Sequence, residues 1–417
     1  MYVTRPLSHY RQFPSSLSSP PPEGPNSGYL VIQDEESVDE ESVETQCFGL
    51  RKDPSIKDLP FPQNKRLIAV YTTSDRKDVS SHQYKVFLIP VLDHPLSSNR
   101  YYVIKAQGKH QGEAYTSSKE ENKVTYCFCS FVKHEKPRAL DHQDIYQQME
   151  ITRQETSCFT TGGFVAKSLA PDGFPSEFLR VQGWNIYAST QHIYQLGEAR
   201  GLDASLRARL PQFNFPLSST SSGTVVVGKW YCPFMFIKEE EEELKDQMEK
   251  SIFYEITLEQ KWEQIYACEN NQSKTSYVAV DVVVQREMGL ISGREAAKDD
   301  TNVVDGVVWF RTLDNVGGHS VGLSLAIVER MKWEQERVGW IESPATVSIP
   351  PPEASYTGYL VVRMKNQKQR IRVVGAHERT RWLKSSHFLN KILAVVHSSG
   401  SEEDGSVLDR DFKVVFI

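Results

Sequence analysis

The sequence predicts an α+β protein that is predominantly antiparallel β: an N-terminal β domain, a short helical middle and a longer β-meander or sandwich domain. Short runs of β-branched and aromatic residues recur between Asp, Asn, Pro, Gly and Ser, which is typical of strands joined by turns. Helical signals are confined to one stretch in the middle. Because 417 residues exceed what one ordinary core can hold, we expect several domains.

The first predicted domain covers residues 1–142. Residues 1–26 are rich in Pro and Ser and are expected to be irregular or extended, because proline fixes φ and removes a hydrogen-bond donor. Residues 34–44 are acidic without a core-facing pattern, which indicates a solvated loop. The strands predicted for this domain are 29–32, 67–71, 84–91, 101–104 and 124–131.

A mixed segment with short helices is predicted at residues 143–223. Its two helices are expected at 176–181 and 196–210, since a proline stands at the outer end of each.

The second β domain, residues 224–343, is predicted to contain long strands. Small or polar residues alternate strictly with apolar ones over 320–327, which is the pattern of a strand with two unlike faces. The motif KWEQ occurs at 261–264 and again at 332–335, which suggests two outer strands of one meander. The strands predicted for this domain are 225–227, 230–237, 252–266, 277–287, 306–311 and 320–340.

The last predicted domain, residues 344–417, is a partial repeat of residues 14–89. PPPE and GYLV, separated by four residues that differ, are identical at 20–31 and 350–361. The second copy stops inside an apolar run where the first continues. We therefore expect one complete unit followed by the start of another, arising from fused tandem genes or from a read-through gene model.

The two copies differ in charge after GYLV. The first continues into an acidic run, whereas the second carries basic residues at 363, 365, 368, 370 and 372. Opposite charge would favour association of the copies, although drift of an exposed loop would give the same pattern.

Composition limits the partners and the compartment. A net charge of −6 without a basic stripe argues against a nucleic-acid partner. The N-terminus lacks the apolar core of a secretory signal, and no apolar run approaches the roughly 20 residues that span a bilayer. The six cysteines are therefore interpreted as reduced thiols. We expect a cytoplasmic protein, with the nucleus as alternative, and neither a membrane partner nor a stable transmembrane segment.

Several long motifs carry a resemblance, among them MYVTRPLSHYR, PPPEGPNSGYLVIQDEE and KWEQER. The whole set of motifs resembles a plant-specific family of uncharacterised proteins that share domain of unknown function 1262. The resemblance spans essentially residues 1–340. It implies a plant origin and a family without an established activity, so it assigns no site residue. The other motifs are LPFPQNK at 59–65, HPLSSNRYYVI at 94–104 and VVVGKWYCPFMFIKE at 225–239.

The nearest approach to a metal site is formed by Cys127, Cys129 and His134. Structural zinc sites favour two to four residues between cysteines, whereas only one separates this pair. On a strand the two cysteines would share one face, so buried free thiols are the alternative. Cys232 lies in apolar sequence without a nearby cation, which predicts an unreactive thiol. We expect no metal and no cofactor.

No motif of nucleophilic, metal-dependent or phosphate-binding catalysis occurs, so no catalytic residue is assigned. Aromatic residues are abundant in the second β domain, and most are expected in a core. A minority exposed along one sheet face would form a binding face, with Trp230, Trp262 and Trp333 as candidates.

No motif of the sequence assigns a specific function. We interpret the chain as a non-catalytic protein that binds a small molecule or another protein in the plant cytosol. One alternative is an enzyme of unrecognised type, in which His94, His110 or His192 would meet a carboxylate in a pocket. The other is a membrane-acting, pore-forming-like β protein, whose barrel would use residues 320–327 and 277–285.

Overall fold

The structure is a computed structural model. It describes residues 1–36, 55–74, 79–119, 121, 123–126, 129–155, 162–202, 219–240, 242–270, 280–283, 289–291, 294–312, 320–337, 346–349, 358–374, 382–398 and 410–415. The helices within these ranges are α1 (Leu7–Gln12), α2 (Leu244–Lys250) and α3 (Leu325–Arg337). Short 3-10 helices occur at Pro14–Ser18, Leu96–Ser98, Ile145–Gln147, Glu177–Arg180 and Phe234–Phe236.

Strands dominate the described chain. Those before residue 200 are β1 (Tyr2–Pro6), β2 (Gly28–Ile32), β3 (Ser55–Ile56), β4 (Lys65–Ser74), β5 (Val79–Pro90), β6 (Arg100–Lys105), β7 (Ser118–Lys119), β8 (Lys123–Tyr126), β9 (Cys129–Val132), β10 (Gln148–Gln154), β11 (Gly163–Ser168), β12 (Gly173–Phe174) and β13 (Asn185–Ile193).

The strands after residue 200 are β14 (Val225–Pro233), β15 (Ile237–Glu239), β16 (Phe253–Asn270), β17 (Val280–Val283), β18 (Gly289–Ile291), β19 (Arg294–Val304), β20 (Val307–Thr312), β21 (Ser320–Ser324), β22 (Thr346–Ile349), β23 (Gly358–Val374), β24 (Trp382–Ser398) and β25 (Arg410–Val415). Most strand pairs are antiparallel, which confirms the predicted β-dominated α+β class.

Sheet A has the strand order β2-β1-β14-β16-β23-β24-β25. Residue Tyr2 of β1 lies opposite Gly28 of β2 and Tyr231 of β14. A Cβ atom on Gly28 would lie 2.6 Å from the Tyr2 ring, so the close β1–β2 contact requires glycine. The strand β1 and the helix α1 were not predicted within residues 1–26. They form because Tyr2 and Val3 of β1 and Leu7 and Tyr10 of α1 are buried, and burial supplies free energy that local composition does not indicate.

Sheet B has the order β11-β10-β6-β5-β4-β13-β3 and takes strands from both sides of the boundary predicted at residue 142. The strands β10, β11 and β13 lie where a mixed helical segment was predicted. In β10 only Met149 and Ile151 are buried hydrophobic residues, so the apolar alternation is too short to indicate a strand. The helix predicted at 176–181 is the 3-10 helix Glu177–Arg180. The helix predicted at 196–210 is absent over 196–202. Residues 203–210 lie outside the described residues.

The second β domain contains one clear correction. The strand predicted at 320–340 ends at Ser324, and α3 follows. The buried positions of α3 recur at three- and four-residue spacing, which is the helical period. Two of these buried positions are charged, so the helical period is not visible when only apolar residues are considered. The five buried positions are Ala326, Ile327, Arg330, Met331 and Glu334.

This correction changes two other predictions. The first KWEQ motif lies on β16 and the second lies in α3, so the two motifs are not outer strands of one meander. The strand proposed for a membrane barrel at 320–327 also becomes a helix at Leu325. Of residues 277–285, the structure describes a strand only at β17.

The hydrophobic core lies on both faces of sheet B. Phe87 and Ile89 of β5 join the core shared with sheet A and α3, whereas Val86 and Leu88 join a second core that contains Trp184. Adjacent side chains of β5 therefore point into different cores, as the two-residue period of a strand requires. This double burial explains the nearly continuous apolar run of β5. No helix among the described residues is long and apolar enough to cross a membrane.

The two GYLV segments have different pairings. The first is β2 and pairs in parallel with β1. The second begins β23 and pairs antiparallel with β16. The basic residues of the second copy thus lie opposite β16, whereas the acidic run predicted to attract them is described only to Glu36.

Candidate functional site

A cleft of about 370 Å³ opens where α1 and the 3-10 helix Pro14–Ser18 face the loop of residues 56–62. The residues of one wall follow β1 and β2 of sheet A along the chain, and the other wall begins at Ile56 of β3, at the edge of sheet B. This volume is within the range of small-molecule sites. The lining is mainly apolar and contains Leu7, Tyr10, Arg11, Pro14, Leu17, Gln33, Ile56, Asp58, Leu59, Pro60 and Pro62.

Two buried amides hold the walls of the cleft together, and we call Gln63 and Asn64 the amide clamp. The Gln63 Oε1 atom accepts the Val31 N–H at 2.6 Å, and the Gln63 N–H donates to the Val31 carbonyl at 2.8 Å. The Gln63 Nε2 group also donates to the carbonyls of Phe61 (2.6 Å) and Leu88 (2.9 Å). The outer edge of β2 is therefore paired at Val31 by the backbone and the side chain of one residue instead of by another strand.

Asn64 makes a similar reciprocal contact one step further along β2. Its Oδ1 atom accepts the Gln33 N–H, and its Nδ2 group donates to the Gln33 carbonyl, both at 3.0 Å. These bonds fix the backbone of Gln33, whose side chain lines the cleft. The amide clamp belongs to the LPFPQNK motif, which had contributed only to the family resemblance. Two adjacent amide residues between a proline-rich loop and a strand are the sequence feature from which the clamp could have been predicted.

The electrostatics of the cleft differ between its interior and its rim. Burial raises the pKa of the Tyr10 phenol well above its usual value of 10.0, so the hydroxyl remains neutral. At the rim, the charge of Asp58 is paired with Arg153, and Arg11 also lines the cleft. The cleft therefore offers apolar contact and neutral hydrogen-bonding groups.

The tryptophans predicted to form a binding face do not line this cleft. Trp230 is 1% exposed and Trp262 is 7% exposed, so both indoles lie in the interior. Trp333 lies on α3 and is half-buried, with the Arg330 guanidinium 5.0 Å from its ring centroid. The burial of Trp230 and Trp262 is that of core residues, in keeping with the expectation for most aromatics of this region.

The predicted metal ligands are only partly described. Cys127 lies outside the described residues, and Cys129 is on β9 with its side chain also outside them. His134 is exposed, and its Nδ1 atom accepts the N–H of Glu177 at 3.3 Å. Among the described residues, no three metal-ligating side chains converge. Burial raises the pKa of the Cys232 thiol to about 12, which agrees with the predicted lack of reactivity.

Of the three histidines considered for an enzyme, His94 and His110 have described side chains, and neither lines the cleft. His110 does meet a carboxylate, with its Nδ1 atom 2.7 Å from Glu113 Oε2. His94 contacts Arg100 instead, and burial lowers its pKa. His192 is on β13, but its side chain lies outside the described part.

The amino group of Met1 forms a second buried polar site. The residue is 1% exposed, and the group donates a hydrogen bond to the carbonyl of Asn26. Burial lowers its pKa from 8.0 to about 5, and the positive charge of Arg330 acts in the same direction. Folding therefore requires this amine to lose its proton at neutral pH.

We expect the free energy of unfolding to fall as the pH is lowered from 8 to 6. In this window the unfolded chain binds more protons at the Met1 amine than the folded chain, so acid favours unfolding. The loss from this group should be about 2 kcal/mol, given about 1.4 kcal/mol for each pKa unit, and is measured by urea unfolding at several pH values.

Burial also lowers the pKa of His142, which adds a change of the same sign. The variant His142→Asn is therefore the control, and it should retain most of the slope. A stability that does not change between pH 6 and pH 8 would contradict a neutral, buried amine.

Fold and cleft together define a β-dominated protein with a small-molecule-sized cleft between two sheets. The sequence profile of the family described as Protein of unknown function (DUF1262) matches residues 23–128, which confirms the resemblance to an uncharacterised family over these residues. The matched part includes the amide clamp and the loop side of the cleft.

No curated protein matches the chain. Among solved structures, the chain is similar to the crystal structure of Cry35Ab1. The TM-score is 0.43 at 10% sequence identity, and the match covers 80% of this chain and 90% of that one.

Proposed function

We propose that this chain is a non-catalytic binding protein and that the cleft beside α1 takes a small, mostly apolar organic molecule. The observation that carries the proposal is the cleft itself, with apolar walls on two sides and a few neutral polar groups inside. A plant origin and a cytoplasmic location are part of the proposal. They are supported by the resemblance and by the composition.

The lining suggests the chemistry of the ligand. Leu7, Leu17, Ile56 and Leu59 would contact an apolar body from both walls. The Tyr10 hydroxyl and the Gln33 amide would bind a hydrogen-bonding group.

The test uses 8-anilinonaphthalene-1-sulfonate, which combines an apolar body with one anionic group. We expect the full chain to bind this probe at a single site by isothermal titration calorimetry. The variant Leu17→Trp should bind at least tenfold more weakly, because the indole would occupy the space between the walls. A tenfold change in Kd corresponds to about 1.4 kcal/mol.

The matched control is Ile145→Trp. Ile145 is 44% exposed and lies outside the cleft, so this variant adds the same indole and should bind as the unmodified chain does. Equal affinity in the Leu17→Trp variant, or an equal loss in both variants, would contradict the proposal.

A further inference from the structure

The strand β16 has two different neighbours. Its inner edge pairs with β14, which comes from the same part of the chain. Its outer edge pairs with β23, from the second GYLV segment, in a ladder that runs from Asn270 opposite Gly358 to Phe253 opposite Val374. The whole length of a long strand is thus covered by the repeated segment.

The two strands have opposite charge. β16 contains four glutamates and one lysine, whereas β23 contains five basic residues and no acidic residue. In the register of the ladder, Glu255 is opposite Arg372 and Glu259 is opposite Lys368. In the same register, Arg370 is opposite Thr257, midway between these two positions of the ladder. Opposite charges at paired cross-strand positions stabilise the pairing, and Glu255 in addition forms an ion pair with Lys229 of β14 at 2.8 Å.

The outer edge of β16 lacks most of the usual protection against strand pairing. Edge strands are commonly protected by proline, by several lysines, by bulges or by short length. β16 is 18 residues long, contains no proline and has a single lysine, and its ladder with β23 is regular from Phe253 to Gln264. Such an edge presents a continuous row of backbone donors and acceptors.

We propose that the outer edge of β16 is a strand-docking surface whose partner is an extended peptide with basic residues at alternate positions. β23 occupies this surface as an intramolecular competitor. A partner in trans binds when β23 is displaced. Backbone pairing supplies affinity, and the positions opposite Glu255 and Glu259 supply selectivity for basic residues.

The test uses the full chain and a fluorescent synthetic peptide with the sequence of residues 358–374. The unmodified chain should bind this peptide weakly, because a tethered strand competes at an effective concentration in the millimolar range. The variant Lys368→Glu with Arg372→Glu weakens the internal strand and should bind the peptide with at least tenfold lower Kd by fluorescence anisotropy. Adding Glu255→Lys and Glu259→Lys should abolish that gain.

A peptide of the same composition in scrambled order is the matched control and should bind at least tenfold more weakly. Near-ultraviolet circular dichroism confirms that each variant is folded. If the double reversal unfolds the chain, Lys368→Gln with Arg372→Gln replaces it, with a smaller expected gain. Equal binding of both peptides, or no gain in a folded variant, would overturn the proposal.

Discussion

Replacing Gln63 with methionine should lower the free energy of unfolding by about 3–5 kcal/mol, the largest loss that we expect for a substitution beside the cleft. Methionine has a similar length but no amide, so the space stays filled while three side-chain hydrogen bonds disappear. The Val31 N–H and the carbonyls of Phe61 and Leu88 would then lose a partner in a region where Gln63 is 1% exposed. Each buried polar group left without a partner costs about 1–3 kcal/mol.

Urea unfolding of the two chains measures this difference. Gln111→Met is the control, because the Gln111 side chain makes an exposed hydrogen bond to Glu249 at 3.2 Å. Its effect should stay within about 0.5 kcal/mol, as for most surface substitutions. A loss below 1 kcal/mol for Gln63→Met would show that the clamp does not hold the edge of β2.

Removing one partner of the ion pair in α3 should destabilise the chain by about 3–5 kcal/mol. The Arg330 guanidinium lies 2.6 Å from the Glu334 carboxylate, and both side chains are 2% exposed. In Arg330→Met, the carboxylate of Glu334 would remain in the interior without this cation. The neighbouring Trp333 ring would also lose a cation–π contact with Arg330.

A double-mutant cycle separates the pair from its surroundings. Combining Arg330→Met with Glu334→Leu removes both charges, so the double variant should be more stable than the sum of the single losses implies. Lys332→Met is the control on the exposed face of the same helix and should change stability by about 0.5 kcal/mol or less. Additive losses in the cycle would mean that the two charges do not stabilise each other.

The helix α3 also shows why a helix is missed in the sequence when some of its buried residues are charged. Its buried stripe includes Arg330 and Glu334, so a count of apolar residues finds alternation at 320–327 and then no period. The reason for a glycine at position 24, beside α3, could not be predicted from the sequence either. Gly24 has a φ of +106°, and a Cβ atom there would lie 2.7 Å from the Trp333 ring. That requirement exists only once the helix has packed against the loop.

The strands with strong apolar patterns were predicted well, including β4, β5, β6, β16 and β20. Several of those missed before residue 200 are short or polar, and each of them pairs with a neighbouring strand. β10, for example, has β6 on one side and β11 on the other. Pairing of this kind depends on contacts distant in sequence, which override local preference.

The cleft could not be predicted from the sequence, because its lining comes from three separate segments. Leu7 to Leu17, Gln33 and the loop 56–62 meet only after sheets A and B have formed. None of the lining residues belongs to a chemical motif. The repeat, in contrast, was evident from the sequence. The two GYLV segments nevertheless pair with different strands, one in parallel and the other antiparallel. Partners available in the sheet decide where such a segment lies.

The central claim is that the cleft beside α1 is the binding site. The most direct measurement is a titration of methyl-labelled protein with 8-anilinonaphthalene-1-sulfonate, followed by methyl NMR. We predict saturable shifts at the methyl groups of Leu7, Leu17, Ile56 and Leu59, and none at the exposed Val303 and Val304. Shifts at the exposed valines without shifts in the cleft would contradict the account.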